Sequence, residues 1–372
     1  MPRADAAASG RRGSLERVLV MRYRFIGDSV LLGPFLKNLR RLEPRARIDL
    51  LVAPFSGQVL ANCPYVDRIL PFAPSVGHRY DPATGGGRRG KWRGYLDLAR
   101  RVRAERYDGV FVLKRSLSSA LVGLLSGARF RAGFATEGRS LLLTHPVPYD
   151  PRAQHEAESF LNVLRGAGYE DVRPEPLELW SSAEETARAE SVLEAVGFAR
   201  APFAVVHVAA STPGKQWEDD RFVEVCRYLW RRHGLRTAFT GGPADRDRCE
   251  ALASAVAGDG TPAPANLCGR TGLRVDIALY RRARLFVGVD SGPMHMAVAC
   301  GIPVVALFGP TDPAQWGPYE VGAVRRSEVV RSPEPCGSCR HETCPDRRCM
   351  RAIATAAVLA AVDRRLEAPT VA

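Results

Sequence analysis

No stretch of this chain reaches the ~18 consecutive apolar residues that a membrane-spanning helix needs, although its hydrophobic share is an ordinary 46%. The amino terminus, MPRADAAASGRRGS, lacks the apolar central segment of a secretory signal. Residues 1–15 are therefore expected to be a disordered lead, and the protein to be cytoplasmic. Lysine is scarce, so the formal net charge of +13 is carried by arginine, in part a matter of genomic composition. There is no basic tail and no nucleic-acid-binding motif, so no nucleic-acid partner is expected. The arginine excess suits an anionic membrane face or a phosphorylated substrate instead. Solenoid-type repeats are absent too.

What repeats is a strand followed by a helix. A chain of 372 residues suggests two domains. In the first half, apolar runs at 17–23, 47–53, 66–70, 107–113 and 129–134 read as buried strands, with helical stretches between them. Residues 78–92 read as a flexible basic loop and 135–155 as irregular. A second series begins at Phe203, after a proline-bearing stretch at 168–202 that should hold the interdomain linker. Alternating strand and helix implies α/β architecture with parallel sheets.

The most informative stretch is RLFVGVDSGPMHMAVACGIPVVALFGPTDP, from Arg284 to Pro313. Leu285 to Val289 is a buried strand by composition. Asp290, Ser291 and Gly292 form a turn, Pro293 opens a helix where its missing N–H costs nothing, and Val304 to Phe308 is the next strand. Asp290 and Ser291 either cap this helix or face a ligand, because the helix start aims free N–H groups at the carboxyl end of the strand. His295 lies one turn after Ser291 on the same face, where either a structural or a ligand role is open to it.

Similar strand-end features recur through the second half: Ser211 and Thr212 with Lys215, Gly241-Gly242 with Asp245, and Gly269-Arg270-Thr271. In one parallel sheet they would crowd one edge, and hydroxyls, backbone N–H groups and a lysine there could hold a diphosphate. Asp245 could accept from a ribose hydroxyl. Near the start, Gly27 and Asp28 make a turn after the first strand, in which Asp28 is either a helix cap or a chemical group.

Three segments, VLVMRYRFIGDSVLLGPFLKNLRR, VHVAASTPGKQWEDDRF and DSGPMHMAVACGIPVVALFGPTDP, resemble in order those of glycosyltransferase family 9, the ADP-heptose:lipopolysaccharide heptosyltransferases. The resemblance runs from about Arg17 to Leu366. It implies a GT-B type fold of two facing Rossmann-like domains, an acceptor-binding one at 16–180 and a sugar-nucleotide-binding one at 203–350. Residues 181–202 would link them, and 351–372 form a terminal helix and tail. The implied reaction is inverting transfer of a heptose or related sugar from an ADP-sugar to a lipopolysaccharide core or lipid-linked acceptor, with no cofactor.

By motif, Asp28 would be the general base. Ser211, Thr212, Lys215, Asp245, Thr271, Asp290, Ser291, Gly292 and His295 would bind the donor. Arg24, Lys114 and Arg115 would meet the acceptor. Asp245 stands where the family pattern has Glu, and Ala210 where some members carry a hydroxyl. The competing readings are a UDP-sugar transferase or sugar-nucleotide 2-epimerase of the same architecture, or a silent sugar-nucleotide-binding protein.

Nine cysteines in a cytoplasmic chain should be mostly reduced. Four are clustered, Cys336, Cys339, Cys344 and Cys349. Thiolates at such spacing could hold structural zinc, but the long separation of a two-knuckle ribbon is missing, and plain reduced thiols are favoured. A lipid acceptor finally implies peripheral attachment to the inner face of the cytoplasmic membrane. The arginines expected to serve it are Arg22, Arg24, Arg88, Arg89, Arg115 and Arg139, with the basic loop near Arg88 as the main contact.

Overall fold

The computed structural model describes residues 14–23, 25–73, 88–210, 212–334, 344 and 346–367, with side chains omitted at 88–92. The first half runs β1 (Arg17–Met21), α1 (Ile26–Leu31), α2 (Gly33–Leu42), β2 (Arg47–Val52), β3 (Arg68–Pro71), α3 (Arg88–Ala104), β4 (Gly109–Val112), α4 (Leu117–Leu125), β5 (Phe130–Phe134), β6 (His145–Val147) and α5 (Glu156–Gly166). Helix α6 (Ala183–Ala195) leads to the second half: β7 (Phe203–His207), α7 (Asp219–His233), β8 (Arg236–Phe239), α8 (Arg246–Val256), β9 (Ala265–Asn266), α9 (Leu273–Arg282), β10 (Leu285–Val289), α10 (Gly292–Ala299), β11 (Val304–Phe308), α11 (Pro313–Trp316), β12 (Ser327–Arg331), α12 (Arg348–Arg351) and α13 (Thr355–Glu367).

Two six-stranded sheets result, in the orders β3-β2-β1-β4-β5-β6 and β12-β11-β10-β7-β8-β9. All pairings within them are parallel. Each follows the doubly wound order of dinucleotide-binding folds, with the direction of winding reversing between β1 and β4 and between β7 and β10. Every residue of β7, β10 and β11 is buried, because helices cover both faces of the sheet; this is why these strands read as continuous apolar runs rather than alternating ones.

Gly33-Pro34 splits the first helical stretch into α1 and α2, as the missing N–H and fixed φ of proline require. Two strands escape a hydrophobic reading. The three-residue His-Pro-Val strand β6 lies in the stretch expected to be irregular, and β12 is a sheet-edge strand carrying Glu328 and Arg331. The basic loop expected at 78–92 differs as well: α3 already begins at Arg88, and 74–87 lie outside the described residues. So do 1–13, most of the expected lead.

The carboxyl ends of the two sheets face each other, and α1 packs directly on α10. The approach is close enough to require glycine on both sides. A β-carbon on Gly27 would lie 2.9 Å from His295 Cδ2, and one on Gly292 would lie 2.7 Å from Ile26 Cβ. Real β-carbons do not come that near, so these two glycines set the distance between the halves. Elsewhere Arg274 of α9 pairs with Glu185 of α6 at 2.7 Å. His155 donates from Nε2 to the Gly317 carbonyl at 2.9 Å, leaving its Nδ1 to accept from the Ala157 N–H. Helix α13 returns to the second half, where Asp363 accepts from Tyr228.

Candidate active site

Between the halves lies a cavity of about 610 Å³. Phe25, Ile26, Gly27, Asp28 and Phe55 line it from the first half. From the second come His207, Ala209, Ala210, Thr212, Lys215, the 241–244 turn, Thr271 to Leu273, Asp276, Tyr280, Asp290 to Pro293, His295, Met296, Thr311 and Trp316. Thr212, Lys215, Gly241, Gly242, Thr271 and the stretch from Asp290 to Pro293 with His295, strand-end features far apart in sequence, thus share one wall.

On the first-half side, Asp28 is the third residue of α1, whose N-cap position belongs to Phe25. It is therefore not the helix cap. Its carboxylate, in a residue only 6% exposed, meets Arg22 at the end of β1, with Oδ1 2.8 Å from Nη2. The same guanidinium lies 3.6 Å from Glu156 Oε1 and donates from Nη1 to the Leu113 carbonyl at the end of β4. Burial alone would lower the pKa of Arg22. The two carboxylates outweigh it and hold the group above its ordinary value.

Glu156, fully buried at the start of α5, accepts from Arg115 Nη1 at 2.6 Å and from the Tyr149 hydroxyl at 2.9 Å. Arg115 stacks 4.0 Å over the Tyr149 ring. Lys114 lies 5.6 Å from the centroid of Tyr23. Arg24 is outside the described residues. Arg22 and Arg139 correct the expectation that these arginines form an exposed membrane contact. Both are buried, and Arg139 spends its donors on the carbonyls of Lys114, Phe134 and Thr136.

On the second-half side, Asp290 follows β10 and accepts at Oδ2 from Lys215 Nζ and from the Thr311 hydroxyl, each at 2.6 Å. Ser291 occupies the N-cap position of α10 without any side-chain cap bond, so neither residue serves as a cap. Ser291 Oγ and His295 Nδ1 are both buried without a hydrogen-bond partner among the described residues. Buried polar atoms without partners are unusual in folded proteins, and both belong to residues lining the cavity. Burial depresses the pKa of His295 to about 4, the nearby Asp290 only partly offsetting it, so the ring is neutral at physiological pH.

Asp245 turns away from the cavity: it is 3% exposed and accepts from the Gly242 N–H at 3.0 Å, bracing the 241–244 turn that does line it. Thr271 lines the cavity and donates to Asp276 Oδ1 at 2.5 Å. Asp276 has its pKa raised to about 7 by desolvation, partly offset by that hydroxyl. Ser211 is outside the described residues; Thr212 lines the cavity. Of the late cysteines, Cys336 and Cys339 also lie outside. Cys344 is half-buried and Cys349 buried, and no metal-binding group of three or more ligands occurs among the described residues.

Sequence reasoning missed Arg22 as an internal ion-pair partner, and Glu156, Asp276 and Thr311 altogether. Two of these carried a readable signal. Glu156 shares a helix face with Phe160 and Val163, and Asp276 with Leu273 and Tyr280, all buried. An acid on the apolar stripe of a helix is costly unless it has work to do.

Two facing doubly wound halves with a cavity between them, lined by Asp28 on one side and Lys215, Asp290 and Ser291 on the other, define a GT-B type fold. The profile of Glycosyltransferase family 9 (heptosyltransferase) matches residues 95–349, and the chain belongs to that family. It is a glycosyltransferase, as the sequence implied in preference to an epimerase. Lipopolysaccharide heptosyltransferase 3 of Escherichia coli (strain K12) is 27% identical over 349 residues, which is 92% of this chain and 96% of that protein. The crystal structure of the glycosyl transferase family 9 from Veillonella parvula DSM 2008 aligns with TM-score 0.74 and 25% identity over 85% of this chain and 86% of that one. The E. coli ADP-heptose LPS heptosyltransferase II shares the fold, with TM-score 0.74 at 23% identity over 94% of this chain and 98% of its own.

Proposed function

We propose that this protein transfers a heptose from an ADP-heptose donor to a saccharide of the lipopolysaccharide core, with inversion and without a cofactor. The observation that carries the reading is the convergence of the Gly27-Asp28 turn and the Asp290-Ser291-Gly292 turn across one cavity. One side offers a carboxylate for proton removal, the other an anion site. Residues 16–180 form the acceptor half, 203–350 the nucleotide half, 181–202 the link, and 351–372 a terminal helix and tail.

In this reading the diphosphate lies at the start of α10. The orphaned Ser291 hydroxyl, Lys215 and the first backbone N–H groups of the helix meet its charge. Lys215 leaves Asp290 in part for the phosphates as the donor enters. Asp290, Thr311 and the neutral His295 then face the sugar, and the nucleoside extends toward the 241–244 turn and Thr271. Asp245 acts by bracing that turn, Thr212 lies on the phosphate side, and Ser211 is assigned to the donor by the sequence motif.

The acceptor hydroxyl attacks the anomeric carbon as its bond to the phosphate oxygen breaks. Asp28, oriented by Arg22, takes the hydroxyl proton, a contribution of about 10²–10⁴-fold when well placed. ADP leaves with the electron pair, its growing charge met by Lys215 and the α10 N-terminus. Lys114 and Arg115 flank the acceptor side, where a core saccharide bearing phosphate would suit them, and Arg24 is assigned to the acceptor by its place in the sequence. A lipid-linked acceptor places the enzyme on the inner face of the cytoplasmic membrane; among the described residues no helix is long and apolar enough to cross it.

Thermal-shift titration with ADP-sugars and UDP-sugars, followed by transfer to a heptose-deficient core acceptor read by mass spectrometry, tests this. A donor at 100 times its Kd adds about 2.7 kcal/mol of stability. Stabilisation by UDP-sugars alone, or ADP release without a glycosylated product, would overturn the assignment.

A further inference from the structure

We propose that the outer face of α4, together with the turn at 139–142, is the surface by which this protein docks on an anionic phospholipid bilayer. Leu117, Leu121, Leu124 and Leu125 recur at the spacing of one helix face. Leu117 is 53% exposed, Leu124 38% and Leu125 37%, and Leu121 is half-buried. Helix α4 packs against the turn at Arg139–Leu142, where Leu141 is 93% exposed. Single exposed leucines are ordinary. A leucine-only stripe on one helix, beside a leucine standing almost wholly in water, is the kind of patch that marks an interaction site.

The occupant follows from charge and position. Around the patch Arg103 and Arg129 are exposed and Arg131 is half-buried, while from Lys114 to Leu142 the chain has a single acid, Glu137. Cations also sit within the patch: Arg103 of α3 donates to the Leu125 carbonyl, and Arg131 donates to the carbonyls of Leu142 and Ala128. Apolar side chains ringed by cations match the boundary between acyl chains and anionic headgroups.

The patch also begins next to the ion-pair cluster that holds Asp28. Leu117 is two residues from Arg115, which shares Glu156 with the Arg22–Asp28 pair. A membrane held by α4 would thus present lipid-linked saccharides at the mouth of the acceptor side. The choice of lipid as occupant rests on the proposed lipid-linked acceptor; the exposed surface itself does not.

The test is co-sedimentation of the full chain with vesicles of phosphatidylglycerol and phosphatidylethanolamine, against phosphatidylcholine vesicles. The comparison variant is Leu117→Gln/Leu124→Gln/Leu141→Gln, whose exposed positions leave the core intact. Wild type should bind the anionic vesicles, and the variant should bind at least tenfold more weakly at an unchanged Tm. Its transfer to a water-soluble core saccharide should persist while transfer to vesicle-embedded acceptor falls. Equal vesicle binding by both proteins would overturn the surface while leaving the transferase reading standing, since soluble transfer reports that separately. So would a wild-type dimer in sedimentation that the variant converts to monomer, because a second copy would then be the occupant.

Discussion

Arg22 and Asp28 form a 2.8 Å ion pair inside the first half, six residues apart in sequence yet on the end of β1 and the first turn of α1. The pair fixes where the Asp28 carboxylate points, with Glu156 engaging the same guanidinium from α5. Replacing Asp28 by Asn keeps the shape and removes the proton acceptor. We expect Asp28→Asn to lower kcat by about 10²–10⁴-fold while ADP still binds with wild-type affinity in calorimetry. Turnover within a few-fold of wild type would remove Asp28 from the chemistry.

Lys215 should govern donor affinity rather than folding. Its ammonium is partly exposed and paired with Asp290, so it is free to exchange partners. A hydrogen bond to a charged group is worth about 1.5–3 kcal/mol, and Lys215→Ala should therefore weaken ADP binding roughly 10- to 150-fold with little change in Tm. Added salt should weaken the wild type more than the variant. An unchanged Kd would place the diphosphate elsewhere.

The parts of this site that could be read in the sequence are those built locally. A strand, a Gly-Asp or Asp-Ser-Gly turn and a helix start lie within a dozen residues, and periodicity places them at strand ends. The fold class follows from the same alternation. What could not be read depends on distant elements: Glu156 reaches Arg22 across more than a hundred residues, and Thr311 reaches Asp290 from the next strand's exit. Arginines misled for a related reason. Composition counts Arg22 and Arg139 as surface charge, but folding buries both against carboxylates and carbonyls.

Gly292 offers a test of the contact between the halves. An alanine there would put its β-carbon 2.7 Å from Ile26 Cβ and 3.2 Å from the Gly27 nitrogen. Neither is the end of a flexible side chain, so the halves must shift apart. Overpacking of this kind costs about 1–3 kcal/mol. Gly292→Ala should lower Tm, reduce transfer and enlarge the radius of gyration in solution scattering. Wild-type values on all three would mean that α1 and α10 are not in firm contact.

The neutral, buried His295 should leave a mark on the pH dependence of stability. Its pKa is depressed to about 4 by burial, against about 6.5 in an unfolded chain. Between those values the unfolded chain binds more protons at this position, so stability is full above pH about 6.5 and declines as the pH falls toward 4. The loss approaches roughly 3 kcal/mol at one pKa unit per 1.36 kcal/mol. Asp276 contributes a slope of the opposite sign: its pKa is raised to about 7, so its stabilising share is present at low pH and lost as the pH rises through that value. The wild-type profile sums the two, and the difference between wild type and His295→Gln isolates the histidine. Urea unfolding at pH about 7.5 and about 5 should show the wild type losing roughly 2 kcal/mol relative to the variant. A difference that does not change with pH would mean that the ring is hydrated or already paired, and His295 would then not be the desolvated group facing the sugar.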